Sequence, residues 1–519
     1  MNRHVLGFIA VLSIGIIGIV GARFAMPYLF DRTLKNTSDA GEASATIRVG
    51  FDNWVGYVPL CSKELRKRMH GAGYLLQCID DNADYAGRMK QVRDGGLEFA
   101  VATVDSYLLN SVKEKFPGTI VLVIDESAGG DALVARQDRI GSLEDLKTKT
   151  GYKIAFTPHS PSEHLLKAVA VHFDVPALRL KQAPWRVPVN GSPEALKQLQ
   201  SGQVDAAVLW EPDVARALAL PGIHRILGTE NTKRLIVDVL TVSRDFSTKH
   251  PEAVKILLSH YFRTLRYFRD NPDALTEEVK SVAKMSEPQI AAMLKGVRLA
   301  TLSDNAKDWF GIGSGGGRTG TEGIIDTLES SAQILVDNGD FRESPIPERD
   351  PYRLQTKSFV EELYTTGLGD GFDGAAASAT ASARHFDALA DARWESLSEV
   401  GTLKVRPITF QSGAAELSFE GKLELDAAAQ NLSHYPNFRV VVRGHTGVRG
   451  DRASNRELSL TRAEAVKRYL MVTHGIEDAR IRAVGFGGER PLPRSPDESD
   501  RAYEYRLPRV ELYLVSETY

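Results

Sequence analysis

From residue 45 onward short apolar runs alternate with amphipathic stretches, and this alternation limits the fold more tightly than any other feature. Residues 47–51 (IRVGF), 97–101 (LEFAV), 152–156 (YKIAF) and 204–209 (VDAAVL) read as strands with helices between them, the pattern of an α/β fold. In open α/β sheets ligands collect beyond the carboxyl ends of the strands. Those ends carry Trp54, Tyr57, Asp105, Ser160, Trp210 and Glu211, a mixture of rings, carboxylates and a hydroxyl suited to holding a small molecule. Ser160-Pro161-Ser162-Glu163 spells a capping box, with Ser160 at the N-cap and Glu163 at the third helical position. The amides of such a helix end would favour an anionic group. Asp52, Asp105, Asp131, Glu211 and Asp238, all near strand ends, would favour an amine, and a zwitterion would use both.

Two longer phrases carry a resemblance. Gly129-Gly130-Asp131-Ala132-Leu133-Val134-Ala135 followed by Ile140-Gly141-Ser142-Leu143-Glu144-Asp145-Leu146-Lys147, and LQSGQVDAAVLWEP at 199–212, resemble type 2 periplasmic solute-binding proteins of the nitrate/sulfonate/taurine branch, over about 47–341. The resemblance implies an α/β domain over 46–345 with two lobes that close on a ligand. Lobe 1 would span 46–127 and 240–345, lobe 2 about 130–236, with crossing strands near 120–124 and 236–242. The ligand-binding residues expected from strand ends and resemblance together are Trp54, Tyr57, Asp105, Asp131, Ser160, Ser162, Trp210, Glu211 and Asp238.

Residues 5–22 (VLGFIAVLSIGIIGIVGA) are apolar apart from Ser13, and no acidic residue precedes Asp31. The run is just long enough to cross a bilayer, so 1–30 reads as an uncleaved transmembrane anchor in preference to a cleaved signal. Residues 346–395 read as a flexible linker, because 367–383 (GLGDGFDGAAASATASA) contain almost nothing that could build a core. Beyond about 396 the pattern is α+β. Strands fall at 405–410 and 438–443, and a helix at 419–432. A second helix is capped at Asn455 or Ser459 and ends near Gly475, with Leu458, Val466 and Tyr469 on one face and Arg462 beside them. Arg443-Gly444-His445-Thr446, NRELSLTRAEAV at 455–466, IRAVGFG at 481–487 and Arg509-Val510-Glu511-Leu512 resemble the OmpA-like peptidoglycan-binding domain, giving 396–519 as that domain. In that family an Asp directly after the His-Thr pair, together with the helix Arg, holds the diaminopimelate of the wall peptide. Arg462 stands at the Arg position, Gly447 at the Asp position, and Asp451 is the nearest substitute. Arg509 matches the second Arg of the family's closing pair, and Pro508 replaces the first.

Lys and Arg number 64 against 67 Asp and Glu, a net charge of −3 that gives no field for nucleic acid. Cys61 and Cys78 are either one disulfide or two unlinked thiols. There is no His-Glu-x-x-His or Gly-x-Ser-x-Gly, His159 and His164 do not share a helix face, and 311–320 (GIGSGGGRTG) lack the Lys-Ser/Thr ending of a phosphate loop. No enzyme activity, cofactor or metal is expected. The expected partners are a small amine-bearing or zwitterionic solute, peptidoglycan, an ABC permease and the inner membrane, which places the chain in the periplasm. The alternative is a sensory or structural protein whose lobes report a solute or dock a partner.

Overall fold

The computed structural model describes residues 45–283, 285–313, 322–368, 385–410, 415–495 and 498–517. The apolar run 5–22 and most of the small-residue stretch 367–383 lie outside them. Among the described residues no helix is long and apolar enough to cross a membrane. The strands in chain order are β1 (Ala45–Phe51), β2 (Tyr74–Asp80), β3 (Phe99–Thr103), β4 (Gly118–Ser127), β5 (Asp131–Arg136), β6 (Ile154–Phe156), β7 (Arg186–Pro188), β8 (Ala206–Trp210), β9 (Ile223–Gly228), β10 (Val237–Ser243), β11 (Val297–Leu299), β12 (Ser398–Leu403), β13 (Arg439–His445), β14 (Ile481–Gly485) and β15 (Arg509–Ser516).

Two α/β lobes share one plan. Lobe 1 is a six-stranded sheet in the order β11-β4-β10-β3-β1-β2, and lobe 2 a five-stranded sheet in the order β7-β6-β8-β5-β9. In each, three parallel strands are followed by an antiparallel one, β10 in lobe 1 and β5 in lobe 2. β3, β4 and β10 are buried along their whole length, which is why they read as unbroken apolar runs. The runs at 120–124 and 236–242 are therefore central strands of lobe 1, paired with each other. The backbone passes between lobes just beyond them, at 128–130 and 229–236. There the buried Thr229 Oγ1 accepts from the amides of Gly129 (3.0 Å) and Asp131 (3.1 Å) and lies 2.7 Å from Ser127 Oγ, fastening one crossing to the other.

Cys61 and Cys78 are joined in a disulfide with their Cα atoms 6.0 Å apart. The stretch from 346, expected to be linker, begins instead as part of lobe 1. Leu354, Val360 and Leu363 are buried there, and the Thr356 amide donates to the Ile120 carbonyl at 2.8 Å.

The terminal domain is a four-stranded sheet, β12-β15-β13-β14, with helices Phe419–Ser433 and Arg452–His474 against it. Residues 405–410 are not a strand, because Pro407 has no amide to give a ladder and only Phe410 forms a bridge, with Leu417. The second helix is capped neither at Asn455 nor at Ser459 but at Asp451, whose Oδ1 accepts from the Ser454 amide at 2.8 Å, and it ends at the left-handed Gly475 (φ 67°). Its buried stripe is Ser459, Ala463, Val466 and Leu470, while Leu458 is exposed.

This domain packs on lobe 2 through one continuous apolar core that includes Leu143, Phe173, Leu403 and Tyr435. Around it the Tyr435 hydroxyl lies 2.9 Å from His172 Nδ1, the rings of His172 and His434 stack at 5.4 Å, and the Asn437 side chain donates to the Glu230 carbonyl at 2.6 Å.

Candidate functional site

The lobes are closed on each other. Trp210 Nε1 of lobe 2 donates to Asn53 Oδ1 of lobe 1 at 3.0 Å, Asn110 of lobe 1 donates to the His159 carbonyl at 3.0 Å, and Arg216 of lobe 2 donates to the Ala283 carbonyl at 2.7 Å. Between them lies a cavity of about 10 Å³ lined by Asp52, Trp54, Tyr57, Tyr85, Asp131, Trp210 and Asp238, among others. Five of the sequence-expected residues, Trp54, Tyr57, Asp131, Trp210 and Asp238, thus meet in one place. A larger groove of about 580 Å³ lies where the helix Gly323–Asp337 of lobe 1, lobe 2 and the terminal domain meet. It is an open polar crevice of mixed charge, in which Arg234 already pairs with Asp326 at 3.2 Å.

The cavity is acidic, with aromatic walls. Trp54 points its indole N–H at both oxygens of Asp125 (3.2 Å each), and the Tyr57 hydroxyl donates to Asp238 Oδ1. Asp52 is paired with Arg88 at 3.0 Å, and Arg88, completely buried, also binds Asp81 at 2.5 Å. Burial alone would lower the Arg88 pKa, but the hydrogen bond to Asp81 and the Asp52 charge hold it above the usual arginine value. Among the described residues Asp125, Asp131 and Asp238 make no ion pair, Glu211 feels Arg225 and Arg216 only at a distance, and burial pushes all four towards their neutral forms. Burial pushes Asp125 up to about 8 and holds Asp238 well above the carboxylate range, each acting on the other. Burial pushes Asp131 up to about 7, partly offset by the Ser127 hydroxyl and reinforced by Asp105, Glu211 and Asp52. Glu211 is raised by burial to about 7.

The other expected residues are placed differently. The Ser160 hydroxyl donates to the Thr157 carbonyl at 2.6 Å and accepts from the Ser162 amide at 3.1 Å, and Ser162 Oγ donates to the Val208 carbonyl at 3.4 Å. Neither hydroxyl is presented to the cavity. The capping box is also altered, since Glu163 accepts from the His159 amide at 2.8 Å instead of from the N-cap. Asp105 is buried in the first turn of the helix Val104–Ser111, its Oδ1 without a hydrogen-bond partner. Glu211 accepts from the Ala215 amide at 3.0 Å, at the start of the helix Asp213–Leu218. Sequence reasoning missed Arg88, Tyr85 and Asp125. A signal existed for each: Tyr85, Arg88, Met89 and Val92 share one helix face, and Asp125 directly follows the apolar run 120–124 in the same buried strand.

In the terminal domain Arg462 is half-buried with its guanidinium over the Phe410 ring at 5.0 Å, and its Nε has no hydrogen-bond partner. Among the described residues it makes no ion pair. Asp451 does not serve it. Its carboxylate is spent on Ser454, and eleven residues of helix put it roughly 16 Å away along the axis. Arg509 is also committed, to Glu511 at 2.7 Å and to the carbonyls of Leu507 and Arg490, each at 3.1 Å.

Two lobes that share a strand plan, crossed twice by the backbone and closed over a cavity, form the two-lobed arrangement of a binding fold, here joined to an OmpA-like domain. Residues 409–504 match the OmpA family. Over 113 residues the chain is 37% identical to the peptidoglycan-associated lipoprotein of Pseudomonas putida and 36% identical to that of Pseudomonas aeruginosa. The matched region covers 22% of this chain in both cases, and 67% and 66% of those proteins. Through this domain the chain belongs to the OmpA family. Among solved structures it is similar to the alkanesulfonate-binding protein SsuA of Xanthomonas axonopodis pv. citri, at 15% identity and a TM-score of 0.45, covering 59% of this chain and 98% of that one. SsuA of Escherichia coli gives 15% and 0.45, covering 60% and 98%.

Proposed function

We propose that the chain is a non-catalytic solute-binding protein of the cell envelope, the binding component of an ABC-type uptake system. In this reading the apolar segment 5–22 anchors it in the inner membrane, and the terminal domain holds it at or near peptidoglycan. The closed, aromatic and carboxylate-lined cavity between two hinged lobes carries the proposal, since such a site can enclose a small amine-bearing or zwitterionic solute and present both lobes to a permease. Native mass spectrometry of the purified chain, before and after partial unfolding, tests it. A co-purified small molecule released on unfolding is the expected result, and empty protein that no solute of either charge stabilises would count against it. Pull-down on purified sacculi tests the wall tether, with Arg462→Ala expected to reduce retention.

One observation favours a second reading, a sensor or spacer. The terminal domain does not hang free but is packed on lobe 2 through a shared core, so motion of that lobe would be felt by whatever the terminal domain holds. Absence of a permease and ATPase gene beside this one would favour that reading.

A further inference from the structure

Resting on the solute-binding reading, we infer that the cleft selects a small organic ammonium ion and rejects both sulfonates and zwitterionic amino acids. Charge is the first argument. Asp131 and Asp238 line the cavity with no ion-pair partner, Asp52 beside them is taken up by Arg88, and among the described residues no Lys or Arg lines it. The nearest guanidinium, Arg88, is used up by Asp52 and Asp81. A ligand that completes this site must bring positive charge, because burying carboxylates with no counter-charge is costly.

Asp131 supplies the second argument, independent of the cluster's overall charge. It is only 2% exposed, it lines the cavity, and its Oδ1 has no hydrogen-bond partner. A buried acceptor left open inside a ligand cavity fits an N–H donor, and an ammonium carries up to three.

The third argument removes the anion. The helix starts around the cleft are served by the chain's own groups. Asp105 sits in the first turn of Val104–Ser111, Glu211 accepts from the Ala215 amide of Asp213–Leu218, and Ser160 caps Pro161–His172. A sulfonate or carboxylate brought to the first two ends would meet like charge where it needs free amides.

Ring geometry agrees. The indole N–H of Trp54 is turned to Asp125 and that of Trp210 to Asn53. The rings of Trp54, Tyr57, Tyr85 and Trp210 are left as the apolar lining, whose faces attract a cation and its methylenes. The closed cavity of about 10 Å³ has room for about one water. Lobe opening must therefore admit the ligand, and a small one disturbs the cross-lobe bonds least.

Calorimetric titration of the full chain, stripped of any bound molecule by unfolding and refolding, tests this with four probes: ethylammonium, tetramethylammonium, glycine and ethanesulfonate. Ethylammonium is expected to bind at least tenfold more tightly than glycine, and ethanesulfonate not to bind. Asp131→Asn is expected to weaken ethylammonium at least tenfold while circular dichroism stays unchanged. Tetramethylammonium, which has no N–H, is expected to bind wild type more weakly than ethylammonium and to lose less on that substitution. Should Asp131→Asn not fold, the ranking of the four probes on wild type still decides the matter. Ethanesulfonate or glycine binding as tightly as ethylammonium would overturn the cation assignment and leave the solute-binding reading standing. Failure of all four probes, together with no co-purified molecule, would bring down both.

Discussion

The cleft and the terminal domain hold opposite halves of a charge pair. Among the described residues, Asp125, Asp131 and Asp238 are buried in or beside the cleft without an ion pair, and in the terminal domain Arg462 has no carboxylate. The two imbalances are tolerated by different physics. A carboxyl can give up its charge, and burial raises Asp131 and Glu211 to about 7 and Asp125 to about 8. A guanidinium keeps its charge, so Arg462 stays half-exposed and stacks on Phe410. The charge of the cleft is therefore adjustable by pH and by ligand, and that of Arg462 is not.

The largest effect should come from removing the cation the cleft does have. Arg88 is wholly enclosed between Asp52 and Asp81. Arg88→Met would leave two buried carboxylates unpaired, at a cost of about 3–5 kcal/mol in chemical denaturation. A loss under 1 kcal/mol would mean that the cleft carboxylates need no internal counter-charge, and the contrast with Arg462 would collapse.

Next comes a pair of opposed pH dependences. Asp131 and Glu211 have folded values near 7, above the roughly 4 of an unfolded carboxyl. The folded state then holds extra protons between those values, so their contribution is greatest below about pH 4 and is lost as pH rises to 7. Burial lowers His172 well below its ordinary value and lowers His434 as well. Their contribution is present above about pH 6.5 and is lost as pH falls through the lowered values. Ligand-free lobes should thus melt higher at pH 5 than at pH 8, while the contact between lobe 2 and the terminal domain weakens in acid. Thermal melts with Asp131→Asn, which should flatten the first trend, and small-angle scattering across the same range would separate the two.

Much of the cleft was legible because strand ends are local features. Trp54 and Tyr57 follow their strand within six residues, and Trp210 is the last residue of its own. What escaped was pairing at a distance. Arg88 looks like one more charge on a helix until Asp52 is brought 3.0 Å from it. Ser160 was recognisable as a cap, yet nothing local shows its hydroxyl turning to the Thr157 carbonyl and away from the cleft. The terminal fold followed from its motifs, but its seat on lobe 2 joins His172 to Tyr435 across 263 positions, beyond any periodicity.

The terminal domain can be sharpened by giving it the missing half. A Cβ at Gly447 would meet nothing within 4 Å, and the backbone there is not in the left-handed region. Gly447→Asp should therefore fold, and by the family resemblance its carboxylate would join Arg462 in holding the wall peptide. Charge-assisted hydrogen bonds of about 1.5–3 kcal/mol correspond to a gain of about 10- to 100-fold in sacculus binding. Unchanged binding would show that the wall contact of this chain does not run through Arg462.

The smallest effect tests whether the two sites are independent. Tyr435 is fully buried, its hydroxyl 2.9 Å from His172 Nδ1 and its ring 5.1 Å from that of Phe173. Tyr435→Phe keeps the ring packing and removes one hydrogen bond, a loss of about 1 kcal/mol. It should loosen the terminal domain on lobe 2 and leave cleft affinity untouched, since no cleft carboxylate contacts that interface. Equal affinity in wild type and variant keeps the acidic cleft and the Arg462 site of the terminal domain as separate devices on one chain. A shifted affinity would mean that lobe 2 transmits between them, which is the behaviour a sensor requires and a simple delivery protein does not.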